Sequence, residues 1–508
     1  MSKLLAGIDL GTTALKIAIF DTAGKMLGNA TLEYSLITPK PYFVESDPDN
    51  YMDAIIKGFK KLSEQGIDLM ELEAIGFSLQ SETMFFVDEN GKSLRNSISW
   101  MDNRAVEQAE RLTAKYGDDV CYKHTGQISF AGNWPVCKAL WVKENEPEVF
   151  AKTKKILLIE DFIIYQLTGR YVSDCAMLCS TLYWDITTKK YWQPMLDELG
   201  MTEENFPEIM EPGEVVATIL PEMAQLLGIN PGTKVCTGAM DNAIGAVGVG
   251  ACHPGMFNES IGSTLAVCVP TNKIFYDPNQ QMPVHYYPIK DTYMMHTFTS
   301  GGICLRWFRD NFCQYEMTAA EMTGMDSYDL LTKQAEKTPP GAEGLTFLPH
   351  LSGSLAPDVN PYATGVFMGI TLVHGKGHFI RAVMESLGYL VRRNMEALSD
   401  MGIEVDEIRA FGGGSKSPAW NQIKADILQK PICVTNSKEA ACLGAAILAG
   451  HAVGIFDSIE DACDSMIKVI ARYEPNPENK AIYDKGYEVY KKMQNDCADL
   501  FDMISKRG

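Results

Sequence analysis

The sequence predicts an α/β protein with two lobes, and three observations lead to this fold class. The chain has 508 residues, which is too long for a single hydrophobic core. Amphipathic segments of helix length, such as 47–62, alternate with short apolar segments of strand length, such as 74–78. A strand–turn–strand pattern near the N-terminus also returns at 257–269, after the middle of the chain. An internal repeat of this kind indicates a similar structural unit in each half.

The first 34 residues predict three antiparallel strands joined by two polar turns. The first strand is apolar and ends in the acid Asp9, and the turn that follows contains Gly11, Thr12 and Thr13. Backbone N–H groups and hydroxyls at the tip of such a hairpin can bind a phosphate. An ordinary turn without a ligand is the alternative, since glycine and threonine are common in turns.

The repeat in the second half aligns Ser260-Ile-Gly-Ser-Thr with Asp9-Leu-Gly-Thr-Thr. It predicts a second phosphate-type hairpin, although a match this short also arises by chance. Further along, a predicted strand at 407–411 runs through three glycines into a helix, which is the general form of a nucleotide-binding turn. The chain has no Walker A motif, so a site for ATP would be of another type.

Asp241 occupies the turn between a short apolar strand at 234–237 and a run of small residues that ends at Gly250. We expect it to be the N-cap of a helix, where the positive end of the helix favours the ionised carboxylate. An ionised carboxylate between two lobes is well placed to accept a proton from a substrate. A plain helix cap is the alternative, because Asp is a common N-cap residue.

Composition and charge exclude several classes of protein. The net charge of −20 argues against a nucleic-acid partner and against binding to an anionic membrane. The sequence contains no run of about 18 apolar residues, and no signal-like segment precedes Asp9. Its thirteen cysteines are scattered, which is typical of buried, reduced thiols. We therefore expect a cytoplasmic protein.

Taken together, these motifs resemble those of the FGGY family of carbohydrate kinases, over nearly the whole chain. The most specific match is the segment 365–385, where G-x-F-x-G-I is followed after seven residues by H-F-x-x-A-V-M-E, similar to the family's C-terminal signature. The segment 134–145 resembles the N-terminal signature, with departures at Asn133 and Ala139. The stretch that begins with Asp241-Asn242 most resembles the xylulokinase branch.

The resemblance implies a two-lobed, actin-like ATPase (ribonuclease H-like) fold. Each lobe would hold a mixed β-sheet flanked by helices, with the catalytic cleft between the lobes. We expect residues 1–250 to form the N-terminal lobe, with the acceptor site and the first phosphate hairpin. Residues 251–508 would form the C-terminal lobe, with the nucleotide site and the closing helices.

The resemblance also implies the activity, namely ATP-dependent phosphorylation of a hydroxyl on a small sugar, with ATP and Mg²⁺ as cofactors. By analogy with the family, Asp241 is the general base and Asp9 binds the metal. The implied nucleotide contacts are Gly11, Thr12, Thr13, Thr264, Gly302, Gly413 and Ser417. The implied acceptor contacts are Gln80, Glu82, Trp100, Trp134 and Asn242.

One departure from the family bears on the acceptor. Xylulokinases carry Gln-Met-His-Gly and glycerol kinases carry Gln-Arg-Glu-Thr, where this chain has Gln80-Ser81-Glu82-Thr83. A ketopentose such as xylulose is the expected acceptor, and glycerol or another polyol or ketose is the alternative. We expect no membrane or nucleic-acid partner, and a homodimer remains open.

Two other functions compete with a sugar kinase. A non-catalytic sugar or nucleotide sensor on the same fold is disfavoured because Asp9 and Asp241 are both present. A chaperone- or filament-type ATPase is disfavoured because the sequence has no appended peptide-binding domain. An ATPase assay with and without a panel of sugars would separate the three functions.

Overall fold

A computed structural model of the chain describes residues 3–505. The N-terminal half contributes the strands β1 (Leu4–Leu10), β2 (Ala14–Asp21), β3 (Met26–Glu33), β4 (Glu45–Ser46), β5 (Leu72–Leu79), β6 (Met84–Val87), β7 (Ser97–Ile98), β8 (Lys155–Leu158), β9 (Val172–Asp174), β10 (Trp184–Asp185), β11 (Lys190–Tyr191), β12 (Glu208–Met210), β13 (Val215–Thr218), β14 (Lys234–Cys236) and β15 (Ala239–Met240). Its helices are α1 (Asp49–Glu64), α2 (Val106–Tyr116), α3 (Asp118–Thr125), α4 (Pro135–Asn145), α5 (Pro147–Lys152), α6 (Ile159–Thr168), α7 (Cys175–Leu178), α8 (Gln193–Leu199), α9 (Pro221–Leu227) and α10 (Asp241–Val247).

The C-terminal half has fewer strands and longer helices. Its strands are β16 (Met256–Ile261), β17 (Thr264–Thr271), β18 (Val284–Tyr286), β19 (Tyr293–Ser300), β20 (Thr346–Leu348), β21 (Val366–Met368), β22 (Glu407–Phe411), β23 (Ile432–Thr435) and β24 (Val469–Tyr473). Its helices are α11 (Ile303–Phe312), α12 (Gln314–Thr323), α13 (Ser327–Glu336), α14 (Lys376–Asp400), α15 (Pro418–Leu428), α16 (Ala440–Ala452), α17 (Ile459–Met466), α18 (Lys480–Asp496) and α19 (Ala498–Ser505).

The two large sheets repeat one topology. The first has the order β13-β14-β5-β1-β2-β3, with β15 also paired to β5, and the second has the order β18-β19-β17-β16-β22-β23-β24. In each, an antiparallel meander (β1-β2-β3 or β16-β17-β19) is extended by two parallel strands and one antiparallel strand. The duplication predicted from the two hairpins is therefore confirmed, and it extends across both sheets.

The central strands are buried on both faces, which explains their continuous apolar sequence. In β1 every residue is buried except Asp9, which is partly exposed. Helix α1 packs against β2 and β3, and α15 packs against β23 and β24. The mixed sheets are thus flanked by helices, as expected for this fold class.

Helix α16 comes from the C-terminal half but packs against β1 and β5 of the first sheet and against α10. Glycines allow this close approach. A Cβ atom on Gly7 would lie 1.8 Å from the carbonyl oxygen of Cys442, and one on Gly444 would lie 2.1 Å from that of Ile244. The small-residue helix thus joins the two halves of the chain, and the lobe boundary expected at residue 250 remains a prediction.

One predicted helix boundary was wrong. The apolar segment from Ile156 to Leu167 predicts one helix, but residues 155–158 form β8, and α6 begins at Ile159. The apolar residues of β8 pair antiparallel with β6, so sheet pairing outweighs helical periodicity there.

The thirteen cysteines are buried and free, as expected. Among residues 3–505, no helix is both long and apolar enough to cross a membrane.

Candidate active site

Three parallel strands end together at one edge of the first sheet. Strand β5 lies between β1 and β15, and Ser78 of β5 is level with Asp9 of β1 and Ala239 of β15. The next positions along the chain therefore bring Gln80 and Asp241 to the same edge as Asp9. The backbone N–H of Gln80 donates a hydrogen bond of 3.0 Å to the carbonyl oxygen of Leu10, which fixes this edge. The predicted metal carboxylate, general base and acceptor amide thus share one end of the sheet.

Asp9 is anchored by its neighbours on both sides. The hydroxyl of Ser78 donates a hydrogen bond of 2.8 Å to Asp9 Oδ1, and Lys16 of β2 lies directly opposite in register. Burial raises the pKa of the Asp9 carboxyl, while Ser78 and Lys16 act in the opposite direction. Lys16 is in turn paired with Glu439, from the loop before α16, at 3.0 Å.

Asp241 differs in two ways from the sequence prediction. The N-cap of α10 is Met240, and Asp241 is the first helical residue, whose Oδ1 accepts a 2.6 Å hydrogen bond from the N–H of Asn242. The pKa of Asp241 is raised to about 7, mainly by desolvation and then by the like charge of Asp9, with a smaller effect from Glu82. The side chain keeps partial access to solvent, but protein surrounds it closely enough for desolvation to dominate. The field of this short helix therefore does not keep the carboxylate fully ionised at acidic pH.

The predicted acceptor residue Trp100 contacts the first hairpin, which is the predicted phosphate site. Its indole N–H donates a hydrogen bond of 2.9 Å to Thr12 Oγ1. The carboxylate of Glu82 accepts a hydrogen bond of 2.8 Å from the hydroxyl of Ser81, and burial raises the pKa of Glu82. Trp134 directly precedes α4 and makes no side-chain capping bond; its indole N–H already donates to the carbonyl oxygen of Ser129, so its ring faces remain available for a sugar.

Hydrogen bonds on both sides hold the first hairpin turn in place. The N–H of Gly11 donates to the carbonyl oxygen of Ala14 at 3.0 Å, and the hydroxyl of Tyr34 donates to the carbonyl oxygen of Gly11. Thr12 accepts the bond from the indole described above, whereas Thr13 is exposed. The turn therefore presents the side chain of Thr13 to solvent on a fixed backbone.

A cavity of about 340 Å³ lies in the second lobe, between the second hairpin turn and the N-terminus of α15. It brings together three predicted nucleotide residues, Gly302, Gly413 and Ser417. Thr264 is exposed at the start of β17 and does not line the cavity, although the two residues before it do. Sequence reasoning missed the other polar and aromatic residues of its wall, which are Arg306, Asp326, Tyr328, Asp329, Thr332, Lys416 and Trp420.

The two glycines of this cavity have different surroundings. The N–H of Gly302 donates to the carbonyl oxygen of Gly262 at 2.9 Å, and a Cβ at position 302 would lie 2.4 Å from that oxygen. The nearest atom to a Cβ at Gly413 would be the carbonyl oxygen of Ile261 at 3.7 Å, an ordinary contact. Gly302 is thus required for packing, whereas Gly413 leaves space in the cavity.

One buried residue beside the predicted acceptor residues was missed by the sequence prediction. Lys138 of α4 is 0% exposed, and its ammonium donates to the carbonyl oxygens of Glu82 and Ser99 at 2.7 and 3.1 Å. Burial lowers the pKa of Lys138 to about 8, against the attraction of Glu82. The only sign of its burial in the sequence is its position between Cys137 and Ala139, two small residues of a helix that are also buried.

Comparison with known proteins identifies the family. Residues 4–248 match the N-terminal domain of the FGGY family of carbohydrate kinases, and residues 261–453 match its C-terminal domain. A gluconokinase from Bacillus licheniformis is 32% identical over 96% of this chain and 94% of its own length. The chain belongs to the FGGY family of carbohydrate kinases. It is therefore a carbohydrate kinase, which disfavours the sensor and chaperone-type alternatives.

Two further relatives of this FGGY kinase cover almost its whole length. The xylulose kinase from Bacillus subtilis (strain 168) is 29% identical over 98% of both chains. The crystal structure of a ligand-bound xylulose kinase from Lactobacillus acidophilus has a TM-score of 0.90 and 28% identity, covering 99% of this chain and 100% of that one. The two-lobed actin-like ATPase fold is thereby confirmed, and the family implies ATP as a substrate together with a divalent metal.

Proposed function

We propose that this FGGY kinase transfers the γ-phosphoryl group of ATP to a hydroxyl of a ketopentose, with xylulose as the first candidate. The proposal rests on the meeting of Asp9, Gln80 and Asp241 at one sheet edge, because a metal carboxylate and a base must both lie near the transferred group. Xylulose kinases among the relatives support this choice of acceptor.

In this proposal Asp241 orients the acceptor hydroxyl and takes its proton. A pKa of about 7 is close to the operating pH, which is the most effective range for a general base. The contacts proposed for the acceptor are Gln80, Glu82, Trp100, Trp134 and Asn242. The contacts proposed for the nucleotide are Gly11, Thr12, Thr13, Thr264, Gly302, Gly413 and Ser417.

Asp9 would hold Mg²⁺, whose charge supports phosphoryl transfer. Among residues 3–505, no cluster of three or more His, Cys, Asp or Glu side chains has the geometry of a metal site. A sparse protein donor set fits Mg²⁺, which keeps several waters and takes one or two carboxylates together with substrate phosphates. Ser78 binds one oxygen of Asp9 and leaves the other for the metal or its water.

The charges around the acceptor residues favour a neutral sugar. The charged groups that act most on Asp241 are Asp9 and Glu82, and both are acidic. The cation that acts on Glu82 is Lys138, which already donates to two backbone carbonyls. An anionic acceptor such as gluconate would bring a fourth negative charge to Asp9, Glu82 and Asp241, while Lys138 is already engaged by the two carbonyls.

An acceptor panel tests the proposal. ADP release would be measured with D-xylulose, D-ribulose, glycerol and D-gluconate, and without any acceptor. We expect kcat/KM for D-xylulose to exceed that for D-gluconate by at least about 100-fold, or about 2.7 kcal/mol. A preference for gluconate would overturn the neutral-acceptor proposal, and a preference for glycerol would overturn the ketopentose. A homodimer and a cytoplasmic location remain predictions.

A further inference from the structure

A lysine is fully buried beneath the proposed acceptor site. Lys138 lies on α4 among the buried side chains of Val136, Cys137, Ala139 and Leu140. An ammonium in such surroundings is unfavourable unless its N–H groups find acceptors. Its acceptors therefore indicate what the charge stabilises.

Both acceptors lie in loops that carry proposed acceptor residues. The Lys138 ammonium donates to the carbonyl oxygen of Glu82, in the loop after β5, and to that of Ser99, which precedes Trp100 after β7. A weaker contact of 3.3 Å, from the N–H of Trp100 to Thr83 Oγ1, joins the same two loops. One buried charge thus connects the loop of Glu82 to the loop of Trp100.

The backbone at Glu82 needs such a restraint. Its φ of 58° lies in the left-handed region, which residues other than glycine rarely adopt. A conformation of this kind persists only when the surrounding structure holds it in place. Charge-assisted hydrogen bonds are roughly twice as strong as neutral ones, so the bond from Lys138 suits this purpose.

We propose that Lys138 is a positioning residue for the sugar acceptor. By holding the carbonyl oxygens of Glu82 and Ser99, it sets the direction of the Glu82 carboxylate and the place of the Trp100 indole. Lys138 does not touch the sugar itself, because its side chain is inaccessible. This inference rests on the proposed placement of the acceptor, although not on which sugar is accepted.

The test compares Lys138→Met and Lys138→Gln with Lys143→Met. Lys143 is a matched control, because it lies on the same helix and donates a hydrogen bond of 2.8 Å to the carbonyl oxygen of Glu198, away from the acceptor loops. KM and kcat would be measured for the best acceptor of the panel and for ATP, together with a thermal melt. Using the best acceptor, whichever it is, separates this test from the identity of the sugar.

We expect Lys138→Met to raise the KM for the sugar at least about tenfold, since small misplacements of binding groups are costly. The KM for ATP should stay within about twofold, which a general loss of structure would not permit. Lys138→Gln should be intermediate, because its amide N–H groups can still donate to a carbonyl. Lys143→Met should leave both KM values unchanged.

Three results would overturn the proposal. The first is an unchanged sugar KM in folded Lys138→Met. The second is an equal rise in both KM values, and the third is the failure of both Lys138 variants to fold, which would assign the residue to folding alone. A wild-type enzyme that phosphorylates no sugar would instead refute the proposed function.

Discussion

Replacing Asp241 with Asn separates its proposed role as a base from a purely structural role. The Asn side chain has nearly the same size, and its Oδ1 can still accept the 2.6 Å hydrogen bond from the N–H of Asn242. The change also removes one of three mutually repelling carboxylates, because Asp9 and Glu82 both act on Asp241. We therefore expect the variant to fold and to melt at the wild-type temperature or above it.

Turnover should respond very differently. General-base catalysis contributes ~10²–10⁴-fold, so kcat should fall at least about 100-fold, which corresponds to about 2.7 kcal/mol of activation free energy. The pKa of Asp241 is raised to about 7, so the proportion of ionised base rises with pH. Wild-type kcat/KM should rise about tenfold from pH 6 to pH 8, as a single base of that pKa requires.

The assay is steady-state ADP release with varied sugar and ATP across this pH range, paired with a thermal melt. The Asp241→Asn variant should show little pH dependence between pH 6 and 8, with both KM values close to wild type. A variant that melts normally and turns over sugar at the wild-type rate would refute the role of Asp241. Wild-type activity that falls from pH 6 to 8 would refute the direction of its titration.

Three further predictions concern the proposed nucleotide cavity, the packing of α16 against the first sheet and a buried carboxyl pair. Gly413→Val should weaken ATP binding measured by calorimetry, because its side chain would enter the 340 Å³ cavity. Gly7→Ala should lower the melting temperature through about 1–3 kcal/mol of overpacking, because its Cβ would lie 1.8 Å from the carbonyl oxygen of Cys442. The carboxyl of Glu160 accepts a hydrogen bond from the N–H of Gly238, and burial and then Asp174 raise its pKa well above the ordinary value of 4.5. Because the folded state favours the protonated carboxyl, the free energy of unfolding decreases as pH rises above about 4.5. The melting temperature of Glu160→Gln minus that of the wild type should therefore increase as pH increases from 5 to 8.

Gly413→Val should leave the sugar KM unchanged, and unaltered ATP affinity would mean that the cavity is not the nucleotide site. Gly375→Ala is the control for Gly7→Ala, since a Cβ there meets nothing within 4 Å. For Glu160→Gln, a melting-temperature difference from wild type that is constant between pH 5 and 8 would contradict the linkage argument.

The elements that could be predicted from the sequence are those whose pattern is local. The three opening strands and the repeated hairpin lie where the sequence pattern predicts them, because alternation and turn composition define them. The predicted start of the helix at Ile156 was wrong, because the residues of β8 pair with β6, which lies about 70 residues earlier in the sequence. Local periodicity cannot show such a partner.

The candidate site shows the same division. Motifs located Asp9 and Asp241, but the pKa of Asp241 depends on Asp9 and Glu82, which are distant in sequence. Lys138 was overlooked because its role depends on two carbonyl groups from other loops. Every residue has a backbone carbonyl, so the sequence does not show which carbonyl groups a lysine contacts, and the three-dimensional structure is needed to identify them.

The proposed reaction is the transfer of the γ-phosphoryl group of ATP to a ketopentose. The most direct measurement is mass spectrometry of a reaction containing ATP, Mg²⁺ and D-xylulose, with ADP quantified in the same sample. We expect a sugar monophosphate formed in one-to-one ratio with ADP, and little ADP when the sugar is omitted. ADP release at the same rate with and without sugar, and no phosphorylated sugar in the products, would contradict the claim.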